Sequence, residues 1–408
     1  MTLINRMSWA ALGVALVACT GEVETDADST APPAEDEELL VACAFILGTD
    51  GMTGLIGAID SLDADGTFDP TQAIPVNDGR PICATYGGAL FATSPTSPEL
   101  TRYDVVDGTL VPGTTISFAG LGIGPLQGIN SELFQFVDDE RAYFVDSPSR
   151  QLAVFDPSSM ELRGSVSLDF DPPKGLSILG VRGTIRTGDE LIVPFSLSND
   201  QGITVSTTVF AIVDTTTDAV TFETSTSCGS LAGSQETASG SLVFTSNEAA
   251  GVAGHFGLPG AFPACLLDKA ADGTFANATG IDLTEIAGGD IAGGFARGPG
   301  NTAFFNAYDE TLVPLPKKPD LGAVLGAAAW TVRRIPDLDD PTTSEPVLGV
   351  PPGAGRLQWM VVDGRSFVIV LNADLTTTLY DVTNTDGETP AVEALQVPAI
   401  LYSAFRVR

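Results

Sequence analysis

The chain has 408 residues, and its 52 acidic side chains outnumber 19 basic ones, which gives a formal net charge of −33. This charge argues against a nucleic-acid partner, because phosphate contacts require clustered lysine and arginine, and against electrostatic docking on an anionic membrane surface. Abundant Gly and Pro, with few 3.6-residue hydrophobic periods, predict an all-β fold.

Residues 1–18 have the features of a lipoprotein signal peptide. Arg6 supplies a positive start, residues 9–15 are apolar, and small residues lead directly to Cys19. The apolar segment is about half of the ~20 residues that a membrane-spanning helix needs. We therefore expect a lipid on Cys19 that anchors the protein to a membrane. Thr20 stands where Asp would favour the inner membrane, so we expect the outer membrane. An ordinary secretory signal with a coincidental cysteine is the alternative.

The segment after the signal peptide, residues 19–38, carries eight acidic residues and no basic one. Such a segment cannot bury enough apolar surface to offset the entropy lost on ordering, so it is predicted to be a disordered tether behind the lipidated cysteine. Residues 39–408 remain for the folded part. They exceed the usual ~150 residues of one domain, but β-propellers are commonly longer.

One pattern recurs through the folded part: a strand ends in aspartate, a turn follows and another strand begins. Aspartate at the start of a turn accepts hydrogen bonds from backbone N–H groups further along, and glycine supplies the positive φ of a hairpin. Successive separations are 44, 52, 58, 54, 69 and 44 residues, close to the ~40–50 of propeller repeats once insertions are allowed. The seven aspartates are Asp60, Asp104, Asp156, Asp214, Asp268, Asp337 and Asp381.

A short apolar strand precedes each aspartate, and six of these have a further strand before them, such as residues 134–137, 180–186 and 357–362. The first repeat lacks this opening strand, whereas the chain ends in an unassigned strand at 400–407. Both features fit a ring in which the last strand completes the first blade. We predict a single seven-bladed β-propeller closed by the C-terminal strand, with six or eight blades as the range. Two β-sandwich domains would not produce one register of seven turns.

The four cysteines besides Cys19 form an even set, which in an exported chain predicts two disulfides, although three pairings exist. No spacing resembles a zinc site. In the repeat register two of these cysteines lie on neighbouring blades one and two, and the other two flank blade five. The favoured pairing is therefore Cys43–Cys83 and Cys228–Cys265.

Motifs for catalysis are scarce. The single histidine, His255, lies in a Gly-rich insertion without a GxSxG nucleophile motif or a second histidine, so it is a candidate ligand contact or a bystander. Residues 62–69 resemble a calcium loop but lack its distal Glu and occupy the turn position of the repeat. We therefore expect no catalytic activity, no metal site and no cofactor.

The candidate ligand site is one face of the predicted disc. This face carries the connections between blades and the loops between second and third strands, two of which are long, at 246–262 and 308–328. Arginines near the innermost strands, with a tryptophan, suit a flat anionic aromatic ligand through charge-assisted hydrogen bonds and cation–π contacts. Pairing of each arginine with an aspartate is the alternative. The candidates are Arg182 in an innermost strand, Arg297 and Arg356 in Gly-rich connections, and Trp359.

A family resemblance lies in the third repeat, residues 142–168. It is carried by Ala142-Tyr143-Phe144, Gln151-Leu152, Phe155-Asp156-Pro157 and Met160-Glu161. Through these residues the repeat resembles that of siderophore-associated propeller lipoproteins, the MxcI-like family. The resemblance implies an outer-membrane protein that binds a ferric siderophore and passes it to a TonB-dependent receptor. It implies no binding residue, because the matching segment is strand and turn. A protein-binding propeller scaffold in an envelope complex and a lactonase-like enzyme are the alternatives.

Overall fold

The computed structural model describes residues 38–48, 51–76, 79–126, 130–353 and 357–408. The predicted signal peptide, Cys19, the tether up to residue 37, and Arg356 lie outside the described residues. Within the described ranges, no helix is long and apolar enough to cross a membrane.

Seven antiparallel sheets confirm the seven-bladed β-propeller. The first strands of several neighbouring blades contact each other, which places these strands around the central axis. In blades two to seven the strands follow chain order from the innermost to the outermost. Connections between blades lie on the same face of the disc as the links between second and third strands; we call this the upper face.

Blades one to three are built from strands of three to ten residues, together with the last strand of the chain described below. Blade one has β1 (Leu39–Gly48), β2 (Gly51–Ile59) and β3 (Ile74–Val76). Blade two has β4 (Cys83–Tyr86), β5 (Ala89–Thr93), β6 (Glu99–Val106) and β7 (Thr109–Ser117). Blade three has β8 (Phe134–Asp138), β9 (Arg141–Asp146), β10 (Gln151–Asp156) and β11 (Glu161–Ser167).

Blades four to seven include the longest hairpin of the ring. Blade four has β12 (Leu176–Val181), β13 (Ile185–Thr187), β14 (Glu190–Asn199), β15 (Thr204–Asp214) and β16 (Val220–Ser225). Blade five has β17 (Leu231–Glu236), β18 (Leu242–Ser246), β19 (Cys265–Lys269) and β20 (Thr279–Asp282). Blade six has β21 (Ala292–Arg297), β22 (Ala303–Tyr308), β23 (Trp330–Ile335) and β24 (Glu345–Pro346). Blade seven has β25 (Gln358–Val362), β26 (Arg365–Leu371), β27 (Thr377–Asp381) and β28 (Val392–Val397).

The last strand, β29 (Ile400–Val407), closes the ring as predicted. It pairs antiparallel with β1 from Leu39↔Val407 to Phe45↔Ile400 and so becomes the innermost strand of blade one. The hydroxyl of Tyr402 donates a 2.6 Å hydrogen bond to the carbonyl oxygen of Pro81, next to blade two. The two ends of the folded chain therefore share one sheet.

The repeated aspartates lie at, near or just after the end of the third strand of each blade, as the repeat predicts. At Asp214 and Asp381 the carboxylate accepts the backbone N–H two residues on, from Thr216 at 2.8 Å and from Thr383 at 2.9 Å. Turn chemistry of this kind fixes where each third strand stops.

Between neighbouring blades the side chains form separate buried clusters. Phe91, Phe136 and Phe155 are packed between blades two and three, and Phe304 and Trp359 are packed between blades six and seven. Alternate residues of a strand point to opposite faces of its sheet, so each blade contributes to two such clusters. Blades therefore hold one another in place around the axis.

Both predicted disulfides are present. Cys43 in β1 is bonded to Cys83 in β4, and these residues are 40 apart in sequence. Cys228, just before blade five, is bonded to Cys265 in β19 across 37 residues. The first bond joins neighbouring blades, and the second ties the start of blade five to its third strand.

One predicted strand is wrong in its extent. Residues 180–186 were expected to form a single innermost strand, but β12 ends at Val181 and β13 begins at Ile185. Gly183 has φ of +73° in the break, a left-handed conformation that favours glycine. A β-carbon there would lie 3.1 Å from the backbone of Gly233 in β17. Glycine at this position therefore allows the backbones of blades four and five to approach closely where the strand is interrupted.

The two long upper-face connections are folded. The one in blade five contains α1 (Glu248–His255), and the one in blade six contains α3 (Leu321–Leu325); a third helix, α2 (Leu283–Ile286), links the two blades. Short 3₁₀ helices occur at Ala119–Leu121, Ser131–Leu133 and Phe275–Asn277. α1 and α3 pack together around buried apolar side chains that include Val252, Val324 and Trp330.

Candidate anion site at the centre of the ring

A buried carboxyl group lies near the central axis. Glu132 belongs to the 3₁₀ turn that leads into β8, the innermost strand of blade three, and only 6% of it is exposed. Its Oε1 accepts a 3.3 Å hydrogen bond from the backbone N–H of Gly183 in blade four. The break between β12 and β13 therefore supplies a donor to a carboxyl group of the neighbouring blade.

The charges of two arginines predicted from the sequence act on this carboxyl group. Arg182 lies in the break beside Gly183, rather than within a continuous innermost strand. Arg297 is the last residue of β21, so its predicted place in a Gly-rich connection is wrong. Both residues are half-buried. The Nε of Arg297 donates a 3.1 Å hydrogen bond to the carbonyl oxygen of Ser234 in blade five.

The charges of these three side chains are coupled. Burial raises the pKa of Glu132 to about 7, while the Gly183 N–H and the positive charges of Arg182 and Arg297 act in the opposite direction. Burial also lowers the pKa of Arg297, and the charge of Glu132 partly restores it. Desolvation is the dominant effect at both groups. Around neutral pH the cluster therefore holds two cations and a carboxyl group that is only partly ionised.

Hydroxyl groups flank the cluster. Ser131 precedes Glu132 and is 4% exposed, and Thr184 follows Gly183 and is 1% exposed. Neither hydroxyl oxygen has a hydrogen-bond partner among the described residues. A buried hydroxyl without a partner is costly, since it has lost its hydrogen bonds to water. The centre of the ring therefore presents cationic, acidic and hydroxyl groups together.

Trp359 does not fit the ligand-stacking role predicted for it. It is 1% exposed and packs in the core between blades six and seven, with its ring centroid 5.5 Å from that of Phe304 and nearly parallel. The protein itself covers the faces of its indole ring. Strand alternation turns this innermost-strand side chain towards the core.

His255 is exposed at the C-terminal end of α1, beside Phe256. It ends the helix of the blade-five connection, whereas Glu132 leads into β8 of blade three. α1 begins against blade six, because a β-carbon on Gly293 would lie 2.5 Å from the α-carbon of Glu248. In the part of the chain that the structure describes, no group of three His, Cys, Asp or Glu side chains is arranged to hold a metal ion.

Glu132 is the member of the cluster that the sequence analysis missed. Its one local signal is an acidic residue two positions before an innermost strand with a buried start, Phe134–Asp138. In an acidic chain such a residue is inconspicuous. Its partners are 50 and 165 residues further along the chain, so only the closed ring brings them together.

No family model matches the sequence, and no curated protein matches it. The fold is similar to that of a periplasmic gluconolactonase from Pseudomonas aeruginosa, with a TM-score of 0.56 and 10% identity over 91% of this chain and 99% of the other. It is also similar to a putative 6-phosphogluconolactonase from Bacteroides fragilis, with a TM-score of 0.50 and 10% identity over 93% and 100% of the two chains. Apo AztD from Citrobacter koseri matches with a TM-score of 0.42 and 10% identity over 91% and 98%.

At these identities the likeness shows the fold alone. It agrees with the propeller part of the family resemblance, while the siderophore-associated family stays a hypothesis. The expectation that the chain has no catalytic activity is corrected, because two structures that share its architecture are named as lactonases, and lactonases are enzymes. The chain is thus similar in fold to propellers named as enzymes.

Proposed function

We propose that this protein binds a small anionic molecule at the centre of its ring, with Arg182 and Arg297 as the cationic ligands. The observation that carries the proposal is the 3.3 Å hydrogen bond that the backbone N–H of Gly183, next to Arg182, donates to the buried carboxyl group of Glu132; the charge of Glu132 also acts on Arg297. In a chain of net charge −33, an anion needs a local region where cations reverse the field. Charge-assisted hydrogen bonds from guanidinium groups to an oxyanion are strong and directional.

Within this class we propose a ferric siderophore or a similar anionic metallophore, which the protein would pass to a TonB-dependent receptor. The family resemblance of residues 142–168 supports this choice. The lipid anchor expected on Cys19 would agree with this choice, because it would hold the protein at the outer membrane. Arg356, the third arginine of the sequence analysis, belongs to this proposal as a further cationic ligand.

Titration by fluorescence quenching or calorimetry tests the binding site, with ferric catecholates and with inorganic phosphate as probes. Replacing Arg182 or Arg297 with alanine should each weaken binding by about 1.5–3 kcal/mol, the range for a hydrogen bond to a charged group. Arg356→Ala extends the series. Lys318→Ala is the control, since it removes one positive charge from an exposed residue in the α3 connection. Equal affinities for parent, arginine variants and control would overturn the central site.

The lipid anchor is tested separately. Cys19→Ala should abolish lipid labelling and leave a soluble or uncleaved protein. A variant that fractionates with membranes like the parent would contradict the anchor without bearing on the binding site.

A second candidate function is the ring opening of an anionic lactone. The observation that favours it is the burial of the Glu132 carboxyl group, which raises its pKa to about 7, because a general acid or base works best when its pKa is near the operating pH. Arg182 and Arg297 would hold the anionic group of the lactone. The printed names of two proteins of the same fold motivate the choice of substrate. Acid release from 6-phosphogluconolactone, compared between parent and Glu132→Gln, tests it; equal rates would rule the candidate out.

A further inference from the structure

We infer that Glu132 makes the central site selective for anions that carry an O–H donor, such as hydrogen phosphate or a hydroxycarboxylate, over anions of equal charge that have no hydrogen, such as sulfate. The inference rests on the proposed anion site and names its ligand class. It follows from the donors and acceptors that the ring brings together.

The two arginines provide only donors. A guanidinium group has five N–H donors and no acceptor; Arg297 uses its Nε for Ser234, and its remaining N–H groups belong to the two terminal nitrogens. An anion held by these arginines also lies close to Glu132, because Arg182 directly precedes Gly183, whose backbone N–H donates a 3.3 Å hydrogen bond to the Glu132 carboxyl group. An ionised carboxylate has only acceptors.

Whether the ligand turns a bare oxygen or an O–H group towards Glu132 therefore determines how tightly the site binds that ligand. When an anion without hydrogen lies against the ionised carboxylate, two acceptor oxygens and two negative charges face each other. An anion with an O–H group turns the same contact into a charge-assisted hydrogen bond. Buried polar sites discriminate strongly against ligands that leave such a group unpaired.

The flanking hydroxyls extend this preference. Ser131 and Thr184 are more than nine-tenths buried, and their hydroxyl oxygens lack partners among the described residues. A hydroxyl group both donates and accepts. A ligand with its own hydroxyl groups would satisfy these side chains as well as Glu132.

Other titratable groups near Glu132 do not compete for this role. On β9, Asp146 accepts the backbone N–H and the hydroxyl of Ser149. On β4, burial and the charge of Asp139 raise the pKa of Tyr86 to about 12, so this phenol stays neutral. The charged groups that act on Glu132 are Arg182 from blade four and Arg297 from blade six.

Calorimetric titration with inorganic phosphate and with sulfate tests the inference, because at pH 8 both are dianions of similar size and only hydrogen phosphate carries a proton. The parent should prefer phosphate by about tenfold or more. Glu132→Gln presents an amide N–H₂ donor, so its affinity for sulfate should rise and the preference should fall towards one. Lowering the pH to 5.5 protonates Glu132, and sulfate should then bind the parent more tightly.

The matched control is Glu223→Gln on β16, the outermost strand of blade four. Glu223 also accepts a backbone N–H, from Phe275 at 2.6 Å, and its replacement should leave the preference unchanged. Glu132→Asp keeps the carboxylate and should keep the preference. If Glu132→Gln does not fold, the aspartate variant and the pH dependence of sulfate binding to the parent decide.

The outcomes separate the two proposals. A parent that binds neither anion would overturn the proposed anion site. A parent that binds phosphate and sulfate equally at pH 8, with affinities that fall in the arginine variants, would overturn the selectivity of Glu132 alone. An unchanged preference in Glu132→Gln would have the same consequence.

Discussion

Gly183 and Gly233 hold the innermost strands of blades four and five in direct backbone contact: a β-carbon on Gly183 would lie 3.1 Å from the carbonyl carbon of Gly233. Gly183 also has φ of +73° and donates its N–H to Glu132. The same residue thus allows the close approach and orients the buried carboxyl group.

Gly183→Ala should therefore destabilise the protein for two reasons. Left-handed backbone costs a non-glycine residue about 1–2 kcal/mol, and the contact with Gly233 adds an overpacking cost of about 1–3 kcal/mol. Gly188→Ala is the control, because Gly188 has φ of +54° with open space around it and incurs only the first cost. Urea unfolding of both variants measures their losses of unfolding free energy. Equal losses would show that the contact between Gly183 and Gly233 is unimportant.

The disulfide between Cys43 and Cys83 should contribute strongly to stability. In the chain-entropy description, a cross-link across 40 residues contributes about 4 kcal/mol. The double variant Cys43→Ala/Cys83→Ala should lose about that much unfolding free energy under oxidising conditions. The corresponding variant of Cys228 and Cys265, across 37 residues, should lose a similar amount. An unchanged midpoint in the first variant would contradict this.

Truncation after Val397 should destabilise the whole ring, because it removes β29, the innermost strand of blade one. The loss exposes the edge of β1 and uncovers buried apolar side chains that contact β29. The entire thermal unfolding transition of the truncated chain should move to a lower temperature. The control ends at Val407 and removes only Arg408. A truncated chain that unfolds cooperatively at the parental temperature would contradict closure by this strand.

Glu132 should make stability depend on pH near neutrality. Its pKa is raised from 4.5 to about 7 in the folded protein, so the folded state binds the proton more tightly than the unfolded state. Protonation of Glu132 therefore contributes about 3 kcal/mol to the free energy of unfolding. This stabilisation is fully present below about pH 4.5 and is lost as the pH rises through 7. The pKa of Asp156 is lowered, so the stability that its ionised carboxylate contributes is lost only in more acidic solution.

Glu132→Gln should remove this dependence. Relative to the parent, the variant should gain about 3 kcal/mol of unfolding free energy between pH 4.5 and pH 8. Denaturant unfolding at several pH values measures it, with Glu223→Gln as the control. Parallel curves for parent and Glu132→Gln would show that the carboxyl group titrates alike in both states.

The sequence was sufficient for the architecture because its signals are local. Turn aspartates such as Asp214 and Asp381 are followed within two residues by the N–H groups that they accept. Short apolar segments before the aspartates marked the strands, and the unassigned strand at Ile400–Val407 indicated closure. Cysteine positions in the repeat register then indicated both disulfides.

The central cluster depended on tertiary structure. Glu132, Arg182 and Arg297 lie in three different blades, and ring closure alone brings them near one axis. The sequence also left open which side chains of an innermost strand face the core, and Trp359 proved to be buried there. Turns and strands are determined by residues close together in the chain, whereas the charges that meet at the centre are set by how seven sheets pack around it.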